Sequence, residues 1–160
     1  MTLSFVYGAQ KKALLAKLEY YGITKLPYLL SISGKDKVRG YTGAFSDNEI
    51  IEFDLQIGID IFGLYLFHDH GDEVRLSYDG MLMLKDQITK NIFELTDAQA
   101  KEYFKGQDIL LTNEEKAKLT MEDKGFKVLK HNGNFIGTGK LLPHDGRITN
   151  YLPKERRNRN

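Results

Sequence analysis

The dipeptide Asn132-Gly133 stands between two β-type runs, residues 125–130 and 135–137, and constrains the fold more than any other short segment. Both positions tolerate positive φ, which a two-residue hairpin turn needs if its twist is to match the flanking strands. The two runs must therefore fold back as antiparallel neighbours. Residues 108–111 form an earlier β-type run and residues 147–152 a last strand. One helix stands in front of this β region. Thr96-Asp97-Ala98-Gln99 is a capping box, whose side chains satisfy free backbone N–H groups at the helix start. That helix runs to Phe104 and stops at Gly106.

Residues 96–160 thus read as a helix followed by a small β-barrel or sheet, and residues 1–95 as a separate N-terminal mixed α/β domain. In the first part, the spacing of Ala13, Leu14, Leu18 and Tyr21 predicts a helix over residues 9–21 with Gly22 as its stop. Residues 27–33 and 38–41 form a strand pair around a polar turn. Ser46-Asp47-Asn48-Glu49 is a second capping box, opening a helix to Ile57. Residues 59–67 and 73–77 read as a further strand and its return, joined by a polar tip at 68–72. The expected class is α+β.

Charge is distributed unevenly. Residues 126–160 hold eight Lys/Arg against Asp145 and Glu155, while the whole chain has 23 basic and 22 acidic residues. The first 125 residues therefore carry 15 bases and 20 acids. A basic end on a near-neutral chain points to a polyanionic partner. The 41% hydrophobic and 28% charged composition is that of an ordinary folded domain, and no apolar run reaches the roughly 18–20 residues of a membrane span. The first residues lack a basic start and apolar block, so the expected location is cytoplasmic, with no membrane partner. The absence of cysteine removes disulfides, thiolate nucleophiles and cysteine metal sites.

Several motifs invite chemistry and fall short of it. Gly137-Thr138-Gly139-Lys140 lacks the spacing of a phosphate loop, is followed by Leu141 rather than Ser or Thr, and precedes no helix. A glycine-bearing strand is the better reading. His68-Asp69-His70-Gly71-Asp72-Glu73 is dense in metal-ligand types, and a metal-dependent enzyme using His68, His70 and Asp72 is one reading of it. Gly71 and the polar density fit a solvated hairpin tip better. No nucleophile elbow is present. Neither catalytic residues, a metal nor a cofactor is expected.

Gly137-x-Gly139-Lys140 followed by Asn150-x-x-Pro153-Lys154-x-x-Arg157 resembles the end of the PUA-like domain that follows the catalytic domain in Sun/Nop-type RNA cytosine-5 methyltransferases. PUA names the RNA-binding module of pseudouridine synthases and archaeosine transglycosylases. Glu94-Leu95-Thr96 and the helix to Phe104-Lys105-Gly106 are similar to the opening of that domain, so the resemblance spans about residues 94–157. Gly63-Leu64-Tyr65-Leu66 and the strand after it are similar to a small domain preceding the PUA part in some members.

The resemblance implies a PUA-like barrel that binds structured ribosomal or transfer RNA, in ribosome biogenesis or RNA modification. The expected RNA-binding residues are Lys105, Gly106, Lys140, Arg147, Asn150, Tyr151, Lys154, Arg156 and Arg157. With no glycine-rich S-adenosylmethionine loop and no cysteine to attack cytosine, the expected protein is a stand-alone, non-catalytic RNA binder. The alternative is an adaptor whose N-terminal domain recruits an RNA-modifying enzyme, a ribosomal particle or another protein.

Overall fold

A computed structural model describes residues 3–159. The chain divides into two compact units, residues 1–88 and 89–160. The architecture is α+β, with one five-stranded sheet in each unit.

The first unit is an antiparallel meander in the order β1-β2-β3-β4-β5. Its strands are β1 (Ser4–Val6), β2 (Leu29–Ser33), β3 (Lys37–Tyr41), β4 (Leu64–Asp69) and β5 (Val74–Leu76). Helix α1 (Gly8–Leu18) continues into a 3-10 turn over Glu19–Tyr21 and ends at Gly22, whose φ of 89° provides the left-handed stop. Its buried stripe, Leu14, Leu18 and Tyr21, joins Leu30, Val38, Leu66, Phe67 and Leu76 in the core. The Tyr21 hydroxyl donates to the Val74 carbonyl at 2.6 Å, so this large ring is buried without an orphaned polar atom.

Helix α2 (Asp47–Ile57) opens on the expected capping box: Glu49 N–H donates to Ser46 Oγ, and Ser46 N–H donates to the Glu49 carboxylate at 2.7 Å. The strand expected from residue 59 begins only at Leu64. Ile59 N–H is held by Asp54 Oδ1 at 2.7 Å, and Gly63 turns at φ 81° against the Gly40 carbonyl, so the residues between them form a loop. Helix α3 (Tyr78–Met83), capped by Ser77, presses Gly80 onto β4. A Cβ at Gly80 would lie 1.8 Å from the Leu66 carbonyl oxygen.

Asp54 fixes the end of α2 with both carboxylate oxygens, since Leu3 N–H also donates to Oδ2 at 3.0 Å. These two bonds, Ile59 first, hold its carboxyl below the usual carboxylate range. A depressed folded value means stability is present above about pH 4 and is lost as pH falls through the folded value. In Asp54→Asn the amide nitrogen must face one of the two N–H donors. The variant should unfold earlier in urea at pH 7, and its midpoint should fall less between pH 5 and pH 3, about the Asp value of 3.9, than that of the unchanged protein.

The second unit has the order β6-β8-β9-β10-β7 and curls as a half-barrel. Its strands are β6 (Ile92–Glu94), β7 (Ile109–Leu110), β8 (Gly125–His131), β9 (Asn134–Leu142) and β10 (Arg147–Asn150). Asn132 and Gly133 adopt φ of 48° and 79° at the β8–β9 turn. Helix α4 (Asp97–Phe104) has both bonds of its capping box. β6, read from sequence as part of the N-terminal domain, pairs parallel with β8, placing Ile92 opposite Val128. A short helix α5 (Asn113–Lys118), capped by Thr112 and Glu115, fills the segment between β7 and β8. The core comprises Leu95, Tyr103, Ile109, Leu129, Leu141, Ile148 and Leu152.

Candidate nucleic-acid interface

The turn after α4 organises the first group of expected site residues. Lys105 is the helix C-cap, and Gly106 follows at φ 85° with its N–H donating to the Tyr103 carbonyl at 2.9 Å. The chain returns over this turn after β10. A Cβ on Gly106 would lie 2.6 Å from Arg157 Cδ, so glycine is required both for its backbone and for the arginine stem above it. Arg157 Nε donates to the Leu152 carbonyl at 3.1 Å, and Asn158 N–H donates to the Phe104 carbonyl at 2.8 Å. The closing segment is therefore folded onto the domain, with Leu152 buried beneath it. Pro153 leads into a 3-10 turn over Lys154–Arg156, leaving Lys154 and Arg156 exposed.

Asn150 joins these parts. Its amide donates to the carbonyls of Tyr103 at 2.8 Å and Gln107 at 2.7 Å, and its Oδ1 accepts from Leu152 N–H at 2.8 Å. The side chain's two donors and its oxygen are engaged within the protein, so Asn150 supports the surface rather than projecting from it.

A second group lies on the other face of the pleat. β10 pairs Thr149 with Lys140 and Asn150 with Gly139, and alternation sends Lys140 and Asn150 to opposite faces. Lys140 Nζ stands 4.8 Å from the centroid of Phe126, and Tyr151 meets the same ring at 5.7 Å and 65°. The aromatic ring thus carries a cation on one side and a second ring at its edge.

Two expected cations have altered roles. Arg147 pairs with Asp108 at 3.2 Å and with Asp145 at 3.7 Å, so its charge is balanced locally. Asp108 also accepts Asn150 N–H at 3.0 Å. Lys105 is paired with Glu102 at 3.0 Å, though both remain about half exposed. Lys127, counted with the basic end from sequence, is buried and donates to Asn91 Oδ1 at 2.7 Å. Burial depresses its pKa. Lys130 reaches Phe135 near the hairpin tip, roughly 13 Å along β8 from Phe126. A cavity of about 220 Å³ beside α4 and β7 is lined by Glu102 and Asp108 and excludes the cations of the site.

The glycine motif proves to be packing. A Cβ at Gly137 would lie 2.0 Å from the Tyr103 hydroxyl, which donates to the Thr138 carbonyl at 2.9 Å. A Cβ at Gly139 would lie 2.5 Å from Ile148 Cγ2. Tyr103 is fully buried, so Gly137→Ala should cost about 2 kcal/mol through overpacking. Urea unfolding checks this, and Gly137→Ala combined with Tyr103→Phe should recover part of the loss, because the nearest clashing atom is gone.

At the polar tip of the first unit, His68 and His70 stack at 4.0 Å, and Asp69 is held by Lys17 at 2.8 Å and by Gly71 N–H at 3.0 Å. Among the described residues no three His, Asp or Glu side chains converge to hold a metal ion. Nor is any described helix long and apolar enough to cross a membrane.

The arrangement of a capped helix, a glycine turn, a half-barrel and a Pro-Lys-x-x-Arg closing segment now meets an independent comparison. The family described as the methyltransferase RsmF PUA domain matches residues 90–158. Residues 90–158 are a PUA-like domain. The match covers the second unit from before β6 to the end of the closing segment. A comparison with curated proteins finds no match to the chain. The PUA-like domain thus begins before α4, at the parallel strand that sequence patterning assigns to the first domain.

Sequence reasoning missed Asp108 and Glu102 as partners of the site cations. The pairing of Asp108 with Arg147 spans 39 positions and depends on β7 lying beside β10.

Proposed function

We propose that the PUA-like domain binds structured RNA, ribosomal or transfer, without catalysing a reaction itself, in the service of ribosome biogenesis or RNA modification. The observation that supports this reading is the packing of Arg157 over the Gly106 turn of a PUA-like domain, beside Lys105 and in a closing segment that leaves Lys154 and Arg156 exposed. Gly106 lets the Arg157 stem lie against the turn, and the four cations supply charge-assisted contacts that position RNA without reading its sequence. Arg147 contributes if RNA phosphate displaces Asp108 or Asp145. Asn150 holds the turn and closing segment in register.

Lys140 and Tyr151, backed by the buried Phe126 ring, form the complementary part, a place for an unpaired base to stack on Tyr151 beside a cation. Fluorescence anisotropy with a transfer RNA and a ribosomal RNA fragment tests both parts. Tyr151→Ala should weaken binding about tenfold for RNA with unpaired bases and leave the salt dependence unchanged. Equal weakening for a fully paired duplex would remove the stacking role. The first unit carries nine Lys/Arg against twelve Asp/Glu, so it adds little to RNA affinity.

A further inference from the structure

Helix α2 in the first unit leaves large apolar side chains exposed to solvent. Its buried contacts are Ile50 and Asp54. At 100° per residue, Phe53, Ile57, Ile51 and Leu55 flank that line, giving an apolar arc of roughly 200° of which only the middle is covered. Leu55 and Ile57 are each 76% exposed, and Ile61 in the following loop is 68% exposed. Phe45 packs edge-on against Phe53 at 5.3 Å, and both are also exposed.

The platform is anchored at both ends. Asp47 accepts a hydrogen bond from the Tyr7 hydroxyl, and Asp54 accepts from Leu3 and Ile59. Leu55 stands on the opposite flank, whereas Phe45, Phe53 and Ile57 share one, and an exposed apolar flank on a well-anchored helix is characteristic of an interaction site.

Charge selects the partner. Between Gly40 and Val74 there is no Lys or Arg, whereas the exposed Glu49, Glu52 and Asp60 and the part-exposed Asp47 lie in or beside α2. Such a surface repels RNA and anionic lipid, and two copies meeting face to face would oppose like charges. We propose that the flank of α2 carrying Phe53 and Ile57 docks a protein partner that presents apolar side chains within a basic rim. The helix-in-groove or helix-on-helix mode suits the spacing of Phe53 and Ile57, with Glu49 and Glu52 placed to meet Lys or Arg.

The probe is a synthetic amphipathic helix of Leu and Lys, labelled and titrated with the full chain. A scrambled peptide of the same charge and a Leu/Glu analogue serve as controls. The expected result is binding of the Leu/Lys helix alone, weakened at least tenfold by Phe53→Ser/Ile57→Ser. Both sites are exposed, so an unchanged thermal midpoint confirms an intact fold. Glu52→Lys should weaken the Leu/Lys helix and improve the Leu/Glu analogue. Binding unaffected by Phe53→Ser/Ile57→Ser, or equal binding of the scrambled peptide, would overturn the proposal. So would association with anionic vesicles, or concentration-dependent self-association of the chain that Ile57→Ser abolishes.

Discussion

Replacing Asn150 by alanine should lower the stability of the PUA-like domain by about 2–3 kcal/mol. Three side-chain hydrogen bonds disappear together, those to the Tyr103 and Gln107 carbonyls and the one from Leu152 N–H. Each contributes about 1 kcal/mol net, and the part-buried groups left behind lose partners that water replaces only incompletely. The three bonds tie both sides of the Gly106 turn to the start of the closing segment through one amide. Asn150→Asp should be at least as damaging, since a carboxylate would face two carbonyl oxygens. Urea unfolding followed by circular dichroism measures the loss. RNA affinity should fall as a consequence, through release of the closing segment from the Gly106 turn. An unchanged midpoint with lost RNA binding would instead make Asn150 a direct contact.

The opposite pattern is expected for Lys154→Ala/Arg156→Ala. Both side chains are exposed on the closing 3-10 turn, so stability should change by less than about 0.5 kcal/mol. RNA affinity should nevertheless fall about 10–30-fold near 0.1 M salt, because two phosphate contacts are lost at a single-strand coefficient of about 0.7 each. The loss should be nearly uniform across RNA sequences, since phosphate contacts position a ligand without specifying bases. Lys154→Arg/Arg156→Lys should retain most of the affinity. A drop confined to one RNA sequence would place base-edge contacts at this turn.

Local chemistry made a large part of the architecture legible. The boxes at Ser46 and Thr96, the glycine stops at Gly22 and Gly106, and the Asn132-Gly133 turn are determined within a few residues, and the structure realises them. β6 was not legible as part of the PUA-like domain because its three residues acquire their meaning only by pairing with β8, 36 positions away. The start of β4 was misplaced for a similar reason: an apolar alternation from residue 59 fits a strand until Asp54 captures Ile59. Helix α5 carried a readable signal in Thr112-x-x-Glu115, but its polar sequence offers no apolar stripe to strengthen it.

The candidate site followed the same division. The placement of Lys140 and Asn150 on opposite faces of the sheet was not legible, because it depends on the register between β9 and β10. Lys127 shows the limit of counting charge along a sequence. It lies in the basic run, yet the pleat turns it inward to Asn91.

The central claim is that this PUA-like domain binds RNA through phosphate contacts around the Gly106 turn. The salt dependence of RNA affinity tests it most directly. With Lys105, Lys154, Arg156 and Arg157 each meeting one phosphate, log affinity should fall with log salt at a slope near −3, becoming about −1.4 in Lys154→Ala/Arg156→Ala. A flat dependence in the unchanged protein, or a slope that the two substitutions leave unaltered, would contradict it.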